Sequence, residues 1–241
     1  SAGVGVLYNL DMIPENRMRL MVFGQVLAML LGALMGSYQM LDGLASFLKG
    51  KFTANTLLCF TFLACCADSI LCLQELRVPI CAAFTLEVMM SLWATYHQRT
   101  SEMGMMDTMR KAIRLHSVVK CPDFYEGQNA VLRGEGQVED FMDHYQDTAG
   151  PEKVRNIYAL VVLIVSIAVA VAAGILHGIS MGVQIFSTTL LVSMPASFFI
   201  ALTRPFAVLE RRLHQVGTVL CGWKGVMGLS EKCLYPLNDQ D

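Results

Sequence analysis

The sequence predicts an all-α membrane protein, a bundle of about five transmembrane helices with a short α+β cytoplasmic insert. Two observations support this fold class. Of the 241 residues, 54% are hydrophobic and only 16% are charged, whereas a soluble domain carries about 25% charged residues. The apolar residues also fall in runs of about 20, the length that an α-helix needs to cross a bilayer. The lipid bilayer is therefore the expected partner, and the net charge of −2 does not favour nucleic acid.

The first 55 residues contain a lead, a span and a surface helix. Residues 1–17 are a short N-terminal lead, and residues 18–41 form the first predicted span, within a segment 18–55. Gly32 and Gly36 make a small-xxx-small pair, which permits close contact with another helix. After this span we expect an amphipathic helix at the membrane surface, with Lys49 and Lys51 facing lipid headgroups.

Residues 56–96 form a predicted hairpin of two spans, 56–73 and 78–96, because the link between them is very short. Each span carries one carboxylate. Asp68 lies near a helix end, where it can reach the interface, and Glu87 lies near the middle of its span. A carboxylate inside a span is costly and usually faces a bundle interior or a cavity. Glu87 is therefore either part of an ion path or a neutral, hydrogen-bonded packing group.

Charge asymmetry predicts the topology. Residues 97–157 carry eight Lys or Arg, whereas the two short links 74–77 and 177–182 together carry one. The positive-inside rule places this long insert in the cytoplasm. Within it we expect a helical extension over 97–117 with Met103, Met106 and Met109 on one face, a short strand pair over 131–140, and a helix over 138–145.

Residues 158–202 form the second predicted hairpin, with spans 158–176 and 183–202. Pro195 interrupts the last span, and a proline inside a helix leaves a carbonyl unpaired and bends the helix. Such a break is tolerated where the freed group lines a protein interior or an ion path. Residues 203–241 re-enter the cytoplasm as a helix followed by a glycine-rich strand-and-turn region. We expect an outside N-terminus, a cytoplasmic C-terminus and location in a bacterial plasma membrane.

Three stretches together resemble a known family. Residues 44–57 are similar to a bent surface helix and its lead into a core helix. Residues 77–112 are similar to a second core helix with a long cytoplasmic extension. Residues 190–234 place Ser193, Met194 and Pro195 before a basic helix and a glycine-rich segment. In this order the chain resembles the membrane half of a heavy-metal-type P-type ATPase (E1-E2 ATPase family). The resemblance implies a cation path lined by Glu87, Ser193, Met194 and Pro195.

The sequence departs from that family where catalysis is concerned. No cysteine flanks Pro195, and although Met194 is a soft ligand suited to Cu(I), a gap-filling role is typical of methionine. The insert is shorter than the family's actuator domain and lacks its Thr-Gly-Glu loop. Asn238 stands about where the phosphorylated aspartate belongs, and an amide cannot form an acyl phosphate. We therefore predict no catalytic residue in this chain and treat it as a degenerate pseudoenzyme.

Two functional hypotheses follow. The first is the membrane domain of a P-type ATPase-like cation transporter that lacks its own ATP-driven phosphorylation. The second is a pseudo-transporter that acts as a membrane scaffold or regulatory partner without ion flux. The cofactor is open: a metal cation is the candidate, with ATP and Mg²⁺ relevant only if a nucleotide-binding domain follows Asp241. Since the sequence begins without Met and stops in a polar stretch, we expect a fragment, and such a domain or a partner subunit is the expected cytoplasmic partner.

Overall fold

The computed structural model describes residues 15–75, 77, 79, 81–136, 140–146, 150–194, 197–230 and 234. It is mostly helical and divides into two compact units. The first, called the apolar unit below, consists of Ser1–Tyr96 and Lys153–Thr203. The second, called the polar unit, consists of His97–Glu152 and Arg204–Asp241.

The apolar unit is built from helices. They are α1 (Glu15–Met35), α2 (Ser37–Leu48), α3 (Ala54–Glu75), the first part of α4 (Cys81–Lys111), most of α6 (Gly150–His177), α7 (Ile179–Ser193) and the start of α8 (Ser197–Gln215).

Three stretches of the described chain are long and apolar enough to cross a membrane: Ala54–Glu75, Gly150–His177 and Ile179–Gln215. A fourth crossing is counted only if α1 and α2, which are bent by 70° to one another, form one broken span. The predicted number of five is therefore not confirmed. Two reasons account for the difference. The predicted span 18–41 is broken at Gly36, and α4, which carries Glu87, continues directly into a polar extension.

Glycines in α1 allow α4 to pack closely against it, as the small-xxx-small spacing predicts. A Cβ added to Gly32 would lie 3.2 Å from the side chain of Thr85, and one added to Gly36 would lie 2.6 Å from Val88. Beyond the bend, the side-chain amide of Gln39 donates a hydrogen bond to Thr95 at 3.3 Å. These contacts place α4 against the bend between α1 and α2.

One apolar core holds the unit together. It includes fully buried side chains from four helices, namely Met29, Leu57, Phe84, Leu190 and Met194. The thiols of Cys65 and Cys72 are also buried, as expected for small packing groups. Because residues from α1, α3, α4 and α7 share this core, the interior of the unit is the place to look for a site.

The polar unit contains an antiparallel hairpin and helices. Strands β1 (His116–Tyr125) and β2 (Gln128–Glu135) pair from His116↔Glu135 to Cys121↔Ala130, with an irregularity between Cys121 and Tyr125. The turn places Glu126 and Gly127 at φ of 46° and 74°, the conformation of a two-residue hairpin turn. The predicted strand pair over 131–140 was thus misplaced: residues 131–135 supply five of the eight residues of β2, and its partner β1 precedes them.

The remaining elements of the polar unit are α5 (Phe141–Gln146), α9 (Gly222–Ser230), the end of α4 and most of α8. The helical extension of α4 stops at Lys111. Met103 and Met106, which were predicted to share one face, are exposed, whereas Met105 is fully buried. The predicted strand-and-turn region after α8 is also wrong in part, since residues 222–230 form a helix.

Candidate functional site

Glu87, a site residue predicted from the sequence, lies in the interior of the apolar unit. It lies on α4, and only 2% of its surface is exposed. Its neighbours on the same helix face, Phe84 and Ser91, are also buried. Its Oε2 atom is buried and has no hydrogen-bond partner among the described residues. The alternative, that Glu87 is a hydrogen-bonded packing group, would require a partner for this oxygen, and none lies among the described residues.

A buried carboxyl without a partner is costly. Water or a cation normally satisfies such an oxygen, since leaving it bare costs on the order of 1–3 kcal/mol or more. The face of α4 that carries Glu87 also buries Phe84, Val88 and Ser91, and the Oε2 atom of Glu87 has no hydrogen-bond partner among the described residues. This arrangement is able to bind a proton or a small cation, which is the chemistry expected of an ion path.

The second group of predicted residues surrounds the interruption between α7 and α8. Helix α7 ends at Ser193, and α8 begins at Ser197. Met194 caps α7, with its N–H donating to the carbonyl of Leu190 at 3.1 Å, and its side chain is fully buried. Helix α7 thus ends two residues before Pro195. Pro195 itself lies outside the described residues, as does the degenerate phosphorylation position, Asn238.

The backbone carbonyl of Ser193, at the end of α7, accepts a hydrogen bond from a side chain of another helix. Tyr158, near the start of the apolar part of α6, donates its phenol hydroxyl to the backbone oxygen of Ser193 at 2.7 Å. Its ring also packs against Phe198, with centroids 5.6 Å apart. The freed carbonyl of Ser193 is therefore satisfied within the protein. Sequence reasoning missed this residue because a tyrosine at the start of a predicted span does not reveal which distant carbonyl it bonds.

The structure brings the predicted residues into one core without joining them directly. Met194 belongs to the same apolar cluster as Phe84 and Val88, which flank Glu87 on α4. Among the described residues, no hydrogen bond or ion pair links Glu87 to Ser193 or Met194. The described residues also contain no group of three or more His, Cys, Asp or Glu side chains that could hold a metal ion. Any cation at Glu87 would need ligands of other kinds.

Asp68 behaves differently from its prediction. Instead of reaching the interface, its side chain is buried and forms an ion pair with Arg77 at 2.5 Å. The thiol of Cys72, one turn along α3, lies 3.8 Å from its other oxygen. Arg77, in the short link after α3, turns back to neutralise the carboxylate. The close spacing of Asp68 and Arg77 across a helix end could have predicted this pair, which is a structural clamp for the α3–α4 link.

A second buried carboxyl lies in the polar unit and was not predicted. Glu210 on α8 is fully buried, and the hydroxyl of Ser101 on α4 donates a hydrogen bond to it. A bilayer core accommodates about 20 helical residues, so the part of α8 after Arg204 lies beyond the apolar stretch. Burial raises the pKa of Glu210, and the negative charge of Glu102 raises it further. Burial likewise raises the pKa of the Tyr145 phenol, which interacts with the same carboxyl.

This second group ties three helices together. Ser101 lies on α4, Tyr145 on α5 and Glu210 on α8. One turn further along α8, the ring of His214 lies against Gly104, where an added Cβ would be 2.9 Å from the ring nitrogen Nδ1. The signal in the sequence was weak, because a lone glutamate in a basic amphipathic helix is typical of a solvated face.

No protein-family model, characterised protein or solved structure matches this chain.

Proposed function

We propose that this chain is an integral membrane protein, the membrane domain of a P-type ATPase-like cation transporter that lacks its own ATP-driven phosphorylation. The observation that carries the proposal is Glu87, a carboxyl buried inside a unit of membrane-length helices with one oxygen unpartnered. Ionisable groups inside membrane-spanning segments are costly, and those that occur often line substrate or ion pathways.

The architecture around Glu87 supports the proposal. The 70° bend between α1 and α2 agrees with the first span and surface helix that the resemblance implies. The interruption between α7 and α8, with Met194 buried beside it, lies where the resemblance puts the broken helix of the cation path. In membranes, a helix break of this kind occurs where protein or a polar cavity surrounds it.

The alternative, a scaffold or regulatory partner without ion flux, is favoured by one specific observation. The carbonyl of Ser193, which a cation path would use as a ligand, already accepts the hydroxyl of Tyr158. A pseudo-transporter would be expected to close its former path in this way. The two functions therefore differ in whether Glu87 binds a cation.

Equilibrium dialysis of the purified full chain tests this difference. The protein is dialysed against Na⁺, K⁺, Mg²⁺, Zn²⁺ and Cu⁺ in turn, and bound metal is counted by elemental mass spectrometry. We expect one cation to be retained by the wild type and lost in Glu87→Gln, whereas Glu135→Gln, which removes an exposed carboxyl of β2, retains it. Equal retention by the wild type and Glu87→Gln, or none by either, would reject the transporter and favour the scaffold.

The same preparation tests the role of Met194. If its thioether is a ligand, Met194→Ala weakens Cu⁺ binding without changing Zn²⁺ or Mg²⁺ binding, because sulfur selects the soft ion. If Met194 only fills the core, the variant loses stability but not selectivity. Incubation with radiolabelled ATP should give no acid-stable phosphoprotein, in the natural chain or in Asn238→Asp, because Asp239 and Asp241 lack the neighbouring Lys-Thr-Gly that phosphate and Mg²⁺ require.

A further inference from the structure

Helix α2 presents an apolar face that no described part of the chain covers. Its buried side is formed by Gln39 and Gly43, which face α4 and α3. The opposite side carries large exposed apolar side chains, with Leu41 at 67% and Leu48 at 78% exposure. On α1, Leu27, Leu30, Leu31 and Leu34 are also exposed. Exposed apolar side chains on helices of this kind are suited to lipid.

The junction that holds α2 is rigid. The carbonyl of Gly43 accepts a hydrogen bond from the Thr56 hydroxyl at 2.9 Å, and the side-chain amide of Asn55 donates to Asp42 at 2.8 Å. A Cβ on Gly43 would lie only 2.2 Å from the carbonyl oxygen of Asn55. The two backbones are therefore in direct contact, and α2 cannot roll on α3 to bury its apolar side.

Two lysines are fixed at the end of this helix by a glycine cap. The N–H of Gly50 donates to Phe47 and the N–H of Lys51 donates to Ser46, both at 2.9 Å, with Gly50 at φ +72°. This is the Schellman arrangement, in which a left-handed residue closes the helix. Lys49 and Lys51 therefore lie on either side of a defined turn, and both are exposed.

Aromatic rings hold the same turn against α3. Phe47 packs edge-on to Phe60 with centroids 5.3 Å apart, and Phe52 stacks on Phe60 at 6.4 Å. Lys49 and Lys51 make no ion pair with any residue that the structure describes. Two unpaired cations on a fixed turn, at the edge of an apolar helix face, match the charge of an anionic headgroup above acyl chains.

We infer that α2 is an in-plane interfacial helix and that Lys49 and Lys51 form a binding site for anionic phospholipid headgroups. The site would hold a phosphate between the two ammonium groups, while the acyl chains lie along Leu41 and Leu48. The inference uses the membrane placement within the proposed function but not the cation path. Lysines near a helix C-terminus also stabilise the helix by complementing its dipole. That role does not require a preference for anionic lipid headgroups, whereas a lipid-binding site does.

The test is native mass spectrometry of the full chain in detergent, titrated with phosphatidylglycerol and separately with phosphatidylcholine. Each lysine near an anionic surface contributes about fivefold to affinity, so Lys49→Gln with Lys51→Gln should weaken binding of the first phosphatidylglycerol by about twenty-five-fold. Phosphatidylcholine binding should stay the same. The charge-matched control is Lys111→Gln with Lys120→Gln in the polar unit, which should change the affinity for either lipid by no more than about twofold. Lys49→Arg with Lys51→Arg keeps both positive charges and should keep the preference for phosphatidylglycerol.

Three outcomes would overturn the inference: no preference of the wild type for phosphatidylglycerol, equal affinity in the double glutamine variant, or an equal loss in the control. Equal loss in both pairs would mean that net charge, and not this turn, attracts the lipid. A failure here is separable from a failure of the proposed function, because Glu87-dependent cation retention is measured without phosphatidylglycerol. If a partner protein rather than lipid covers α2, the wild type should show no preference for phosphatidylglycerol. Its double glutamine variant should then bind phosphatidylglycerol as well as the wild type does.

Discussion

Replacing Gly43 with alanine tests the contact on which the junction of α2 and α3 depends. The added Cβ would lie 2.2 Å from the carbonyl oxygen of Asn55 and 2.8 Å from the backbone nitrogen of Thr56. Both neighbours are backbone atoms, so no side-chain rotation relieves the contact. To restore ordinary spacing, the two helices must separate by about 1 Å, and the hydrogen bond from Thr56 to the Gly43 carbonyl is then strained.

The expected cost follows from these two effects. Overpacking of a close contact costs about 1–3 kcal/mol, and loss of one intramolecular hydrogen bond costs about 1 kcal/mol more. Gly43→Ala should therefore lower the free energy of unfolding by about 2–4 kcal/mol. In a chain of this size that corresponds to a fall in Tm of about 5–15 °C.

Thermal unfolding of the full chain in detergent measures this, with the fluorescence of Trp93 in the apolar unit as the signal. Gly24→Ala is the matched control, because an added Cβ there meets nothing within 4 Å. Alanine has the higher helix propensity, so this variant should be unchanged or stabilised by up to about 1 kcal/mol. If both variants unfold at the wild-type temperature, the close approach of α2 to α3 is wrong, and with it the fixed platform for Lys49 and Lys51.

Three further substitutions probe other contacts. Burial raises the pKa of Glu210, so its contribution to stability is complete below the ordinary glutamate pKa and is lost as the pH rises through the raised value. Glu210→Gln should therefore reduce the fall in stability with rising pH above about pH 5. Unfolding is monitored by Trp223 fluorescence in a Trp93→Phe background, and an unchanged pH dependence of stability would contradict this prediction. Tyr158→Phe removes the bond to the Ser193 carbonyl and should cost about 1 kcal/mol in thermal unfolding, whereas Tyr125→Phe on the exposed hairpin should cost nothing; equal effects would argue against the bond. Arg77→Gln strands the buried Asp68 carboxylate and should cost about 3–5 kcal/mol, with Asp68→Asn in the same chain recovering part of it; additive losses in the double variant would show that the two side chains are not paired.

Much of the architecture could be read from composition and spacing. The apolar runs 56–73 and 158–176 became helices α3 and α6, and the Gly32–Gly36 spacing became the contact with α4. These features are local: a run of apolar residues without helix breakers has few alternatives to a long helix. The interruption before α8 was predicted for the same reason, since a proline within an apolar run has a strong local effect.

The predictions that failed depend on contacts between distant residues. Gly36 gave no local sign that α1 and α2 would bend by 70°, because the bend is fixed by packing on α3 and α4. The buried face of the α4 extension turned out to carry Ser101 and Met105, since Glu210 arrives from 109 positions further along the chain. Periodicity alone could not choose between Met105 and the neighbouring methionines.

Site prediction divides in the same way. Glu87 could be singled out because a carboxylate in an apolar run is conspicuous, and the structure places it in the interior. The hydroxyl of Tyr158 and the carboxyl of Glu210 could not be assigned partners from the sequence, because each partner depends on the tertiary arrangement. The ion pair of Asp68 with Arg77 is more local, and its spacing across a helix end could have predicted it. A single sequence identifies a buried charge more readily than it identifies what satisfies that charge.

The central claim is that α4 crosses the membrane and carries the Glu87 carboxyl within it. Reporter fusions joined after Arg77 and after Ala112, on either side of α4, test this most directly, with alkaline phosphatase active outside the cell and a fluorescent protein active inside. We predict that the fusion after Arg77 reports an external location and the fusion after Ala112 a cytoplasmic one. If both positions report the same side, α4 does not cross, and Glu87 cannot belong to a transmembrane cation path.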